Sequence, residues 1–138
     1  MARAQTAFLE RKDVPARQAL QKAVDALKLK LTLDDGYVPF KSSGYLPCTL
    51  DGEDAGFDIR FHDAAELATT PELQSQIAGN DAAIAFRWGG DPREYASVMI
   101  VCAALAKDFG AIVHVPDDNS VYATQQLIDK ARSAAASL

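Results

Sequence analysis

The chain has 138 residues, 49% hydrophobic and 24% charged, a balance that fits one folded domain, 1–138, and excludes the disordered and low-complexity classes. A formal net charge of -5 argues against a nucleic-acid binder, which needs clustered Lys and Arg to displace counterions from phosphates. No apolar run approaches the roughly 18 residues of a membrane span, and the segment from Met1 to Lys12 lacks the apolar core of a secretory leader, so a cytoplasmic protein is expected.

Residues 1–12 mix polar and charged groups around Phe8-Leu9 and read as a loose or short helical lead-in. Asp13 and Pro15 then open an amphipathic helix over about 14–29, with Ala16, Ala19, Leu20, Ala23, Val24 and Leu27 on one stripe. Leu29, Leu31 and Leu33 alternate with Lys30 and Thr32, the period of a short strand ending at Asp34-Asp35-Gly36. Gly44–Phe61 reads as a hairpin around a turn-rich Asp51–Gly56, and Pro47, which cannot donate to a ladder, points to an edge or bulged strand. Thr69-Thr70-Pro71-Glu72, with the capping-box spacing from Thr69 to Glu72, starts a short helix that Gly79 ends.

A strand follows at 82–88, and Gly89-Gly90 turns the chain into Asp91-Pro92-Arg93-Glu94, the strongest helix start in the sequence. That helix runs through an apolar middle to about Asp108 and stops at Gly110. Ala111–Val115 reads as a strand, Pro116–Ser120 as a turn and Val121–Ser137 as a last amphipathic helix. The expected fold is α+β, with a mixed or antiparallel sheet of four to five strands in the order α-β-β-β-α-β-α-β-α.

No catalytic motif emerges. The Gly89-Gly90 pair lacks the spacing of a nucleotide-binding loop, and Asp91 as a cap would occupy the helix N–H groups that a phosphate needs. His62 and His114 lack the two-His spacing of a metal site, neither Cys48 nor Cys102 has a nucleophile's context, and no cofactor is implied. In a reducing compartment the two cysteines are expected to stay unpaired as small buried hydrophobes. The acidic pairs Asp34-Asp35, Glu53-Asp54 and Asp117-Asp118 all fall in expected turns.

Their distribution is uneven. Between Asp34 and Asp81, ten acids face only Lys41 and Arg60, a local charge of -8, whereas the first 33 residues are basic. A surface of one sign speeds encounter with an oppositely charged protein and rejects like-charged ones; a solvated acidic face that only keeps the chain soluble is the plainer reading.

The segments Gly44-Tyr-Leu-Pro-Cys-Thr-Leu-Asp-Gly-Glu-Asp-Ala-Gly-Phe-Asp-Ile59 and Phe86-Arg-Trp-Gly-Gly-Asp-Pro-Arg-Glu94, with the Ala-rich helix beyond, resemble small cytoplasmic immunity proteins encoded beside bacterial polymorphic toxins of contact-dependent or type VI secretion systems. The resemblance implies a folded acidic protein that binds its toxin and blocks the active site or the path to it. The expected contact residues are Asp51, Glu53, Asp54, Asp58 and Asp63, with Tyr45 as an aromatic anchor and a basic toxin domain as partner. Trp88 is a second aromatic candidate, read first as core. The alternatives are a small enzyme with a site near His62, Asp58, Glu66 or Arg87, and a structural subunit that self-associates through the Pro47 strand.

Overall fold

Residues Ala4–Leu9, expected within a loose lead-in, form a strand, β1, in the interior of the sheet. The computed structural model describes residues 3–138, so the first two residues of that expected lead-in lie outside it. β1 pairs antiparallel with β5 (Ala82–Arg87) on one side and β6 (Ile112–Val115) on the other, with Ala7 opposite both Ile84 and Val113. Ala7 and Leu9 face one side of the sheet and Phe8 the other, and all three are fully buried. A strand covered on both faces shows no polar alternation, which is why its sequence does not announce it.

The remaining strands are β2 (Leu31–Leu33), β3 (Ser43–Leu50), β4 (Glu53–Asp63) and β7 (Ser120–Tyr122). They complete a seven-stranded sheet in the order β2-β3-β4-β5-β1-β6-β7, in which every pairing is antiparallel. The expectation of four to five strands fell short at β1 and at β7, which replaces the first residues of the expected last helix. The α+β class holds.

The β3–β4 turn is also tighter than the expected six residues. Only Asp51-Gly52 lie between the strands, with φ of 54° and 81°, the positive values a two-residue hairpin requires. Nor is β3 an edge strand: β2 covers it from Cys48 to Leu50, and Pro47 falls just where that three-residue ladder stops.

Three helices cover one face. α1 (Arg17–Ala26) and α5 (Thr124–Ala136) flank α4 (Pro92–Phe109), whose middle from Ala96 to Leu105 is buried without a break. The local signals for α4 hold: the Asp91 carboxylate accepts from Arg93 N at 2.9 Å, and Gly110 ends the helix in the left-handed region at φ 71°. α1 is shorter than its apolar stripe suggested at both ends: it starts at Arg17 after Ala16 rather than at Asp13 and Pro15, because Arg11–Asp13 form a separate 3-10 turn, and it ends before Lys28, which turns left-handed at φ 63°. On the other face α2 (Ala64–Leu67) and α3 (Pro71–Gln76) cover only the end of the sheet, burying Phe8 and Ala83 under Leu73 and Ile77. The cap of α3 is Thr70, one residue later than the Thr69 of the capping-box spacing, and it accepts from Leu73 N at 3.2 Å. The rest of this second face is open.

Candidate functional site

The open face is set by the β3–β4 register. Tyr45 stands opposite Asp58, and Asp58 stands opposite Arg87 of β5, so these three side chains share the face; Asp54 joins them from the next turn of the pleat. Tyr45 is 61% exposed, the most exposed of the large hydrophobic residues described. It is not loose. Its hydroxyl donates to the Ala55 carbonyl at 3.2 Å, and its ring lies across Gly56, where any Cβ would strike the phenol. Packing against the strand, and then the nearby charges of Glu94, Asp91 and Asp54, push the phenol's pKa up.

Beside Tyr45, Pro47 and Thr49 of β3 and Thr32 of β2 floor a groove of about 260 Å3 whose rim carries Asp34, Asp35 and Asp54. Asp34 is tied to its own turn by accepting from Gly36 N at 2.8 Å, and Asp35 lies 3.4 Å from Arg17. Asp34 and Asp35 read from the sequence as turn residues only; the β2–β3 pairing carries them to the same corner as Asp54.

The other expected contact residues do not join this corner. Asp51 sits in the hairpin turn, 3.9 Å from Lys30, and Glu53 lines a cleft on the helical side of the sheet. Asp63 lies at the far end of β4 and pairs with Arg11 at 2.8 Å, while the Arg11 guanidinium stacks 4.1 Å over Phe40. Asp58 is half-buried and shares its charge with Arg60 at 3.1 Å. Bases of the first 33 residues therefore meet acids of the middle segment at Arg11, Arg17 and Lys30, and the -8 of that segment does not form one continuous surface. No family model, curated protein or solved structure matches this chain.

The remaining candidates are held by local partners. His62 Nδ1 lies 3.1 Å from Glu66 Oε2 across the start of α2, and His114 Nε2 lies 3.2 Å from Asn119. Among the described residues no group of three or more His, Cys, Asp or Glu is placed to hold a metal. Cys48 and Cys102 are both free and buried, and Cys48 donates to Ser97 Oγ at 3.6 Å. Trp88 is half-buried with its ring 5.7 Å from Tyr95, so it packs on the core. At the Gly89-Gly90 turn the Glu94 carboxylate accepts from Gly89 N at 2.6 Å, and with Asp91 it fills the helix start with negative charge.

Proposed function

We propose that the chain is a protein-binding module, an immunity protein that neutralises a basic toxin domain in the cytoplasm, with Tyr45 as its anchor and Asp54, Asp58, Asp34 and Asp35 around it. The observation that carries this reading is the state of Tyr45: exposed, yet fixed on Gly56 beside an acidic groove. An aromatic ring already held in one place loses little conformational freedom when a partner covers it, and such rings dominate binding energy. The carboxylates serve association rate, by drawing in a basic surface, more than final affinity. Asp51, Glu53 and Asp63, each placed beside a base or away from this corner, contribute to the contact less than the sequence suggested.

The test uses the toxin domain encoded beside this chain. Co-expression is expected to restore growth, and the purified pair to bind. Tyr45→Ala should weaken binding by about 2 kcal/mol, the usual loss for an anchor residue. Asp54→Asn with Asp34→Asn should slow association at low salt and leave dissociation unchanged. A neighbouring gene that is no toxin, or a wild-type chain that neither protects nor binds, overturns the reading.

A further inference from the structure

A cleft of about 560 Å3 lies on the helical side of the molecule, away from Tyr45. Four cations line it from three parts of the chain: Lys28 and Lys30 from the α1–β2 connection, Arg93 from the first turn of α4, and Arg132 from the last turns of α5. Leu29, Leu50 and Leu138 add apolar surface between them. In a chain of net charge -5 this convergence is not a composition effect.

Three of the four cations lack an acidic partner. Lys30 lies 3.9 Å from Asp51, whereas Lys28, Arg93 and Arg132 make no ion pair among the described residues. Arg93 is half-buried and fixed at its backbone, since its N–H donates to Asp91 and its carbonyl accepts from Ser97 Oγ at 2.7 Å. Lys28 lines the cleft from a left-handed backbone position, φ 63°. The carbonyl end of α1 favours a cation nearby, which accounts for Lys28 being tolerated there. The guanidinium forks of Arg93 and Arg132 have no planar acceptor among the described ion pairs, the group those forks match.

We infer that this cleft binds a small amphipathic anion, a carboxylate or phosphate monoester whose apolar group lies on Leu50 and Leu138 and whose head meets Arg93 and Arg132. Its volume is that of a small-molecule site, within the usual range of roughly 300–1,000 Å3. The carboxylates of Asp51 and Glu53 on the rim offset part of the charge of the four cations, which suits a small anion and disfavours a polyanion such as a nucleic-acid backbone.

Hexyl phosphate, hexanoate, inorganic phosphate and hexanol, titrated into the full chain by calorimetry and amide NMR, test the inference. At least one of the two amphiphiles is expected to bind saturably, with shifts confined to 28–30, 50–53, 93 and 132–138, and whichever binds identifies the head group. Inorganic phosphate and hexanol should each bind at least about tenfold more weakly, because each lacks one of the two recognised parts. Arg93→Gln with Arg132→Gln should lower affinity about a hundredfold, each charge-assisted contact being worth roughly tenfold. Arg132 is exposed, so Arg132→Gln alone keeps the fold and still reports on the head contact. Binding of neither amphiphile, shifts centred elsewhere, hexanol binding as well as the amphiphiles, or unchanged affinity in Arg132→Gln overturns the inference.

Discussion

Gly56 is glycine because another strand's side chain and carbonyl occupy the space a Cβ would need. Such a Cβ would strike the Tyr45 phenol and would lie 2.8 Å from the Leu46 carbonyl oxygen. The ring is held by its hydroxyl's bond to the Ala55 carbonyl, and the Leu46 carbonyl belongs to the β3–β4 ladder and cannot yield. Gly56→Ala is therefore expected to cost about 1–3 kcal/mol in urea melts, the range for overpacking, and to keep much of that cost in a Tyr45→Ala background. Full recovery in the double variant would mean that the ring alone sets the constraint. A second residue-scale consequence concerns Cys102, whose thiol burial pushes up from 9.0 to about 12, against a smaller opposing effect of the neighbouring Gln5 amide. The unfolded thiol ionises first as pH rises, so its contribution is intact below about pH 9 and declines above it. Burial shifts Cys48 and Tyr37 in the same direction. Urea midpoints should accordingly fall as pH rises above about 9 toward about 12, and Cys102→Ala should flatten the early part of that fall.

Among the elements, β1 carries the most weight for its length. It holds β5 and β6 in one sheet, and Thr6 stands between Ala85 and His114. Thr6→Pro, which removes a donor and imposes a ring inside a central strand, is expected to cost about 3 kcal/mol or more, whereas Asp91→Ala, which removes only the α4 cap, should cost about 1 kcal/mol; thermal melts of both variants check the contrast. The same two elements separate what the sequence discloses from what it hides. α4 is legible because its start and stop are local chemistry: Asp91 and Pro92 at one end, Gly110 at the other. β1 is not, because partners more than 70 residues away decide that Ala4–Leu9 is a strand at all. The candidate site divides in the same way. Tyr45, Asp54 and Asp58 share a face by the period of two within one hairpin, which sequence displays. That Asp51 meets Lys30, that Asp63 meets Arg11, and that Arg93 and Arg132 line one cleft are matters of tertiary placement.

Over the whole molecule, the basic beginning and acidic middle of the chain fold onto one another, but the resulting pairs are unequal. Lys30 and Asp51 are both well exposed and 3.9 Å apart, a contact that salt screens and that contributes within about 1 kcal/mol. Arg17 lies closer in: besides facing Asp35, its guanidinium donates to the Leu33 carbonyl at 3.0 and 2.6 Å, tying α1 to the end of β2. Lys30→Gln should thus change stability little, and less still at high salt. Arg17→Gln should cost more, and denaturant melts at low and high salt should show that most of its cost persists, since hydrogen bonds to a carbonyl do not depend on the Asp35 charge.

The interior place of β1 also bears on the order in which the molecule comes together. On one side of it lie β2 to β5, successive pieces of chain; on the other lie β6 and β7. Neither group touches the other through its ladder except across Ala4–Leu9. During synthesis this strand emerges well before either neighbour, so Phe8 and Leu9 wait for β5 until more than 70 residues have followed and for β6 until about 100 have. Closing loops of that length is slow, and an apolar strand left waiting is open to wrong pairings. β5 can take one edge of β1 before β6 closes the other, and keeping that strand apart from other chains until then is a demand the finished structure no longer displays.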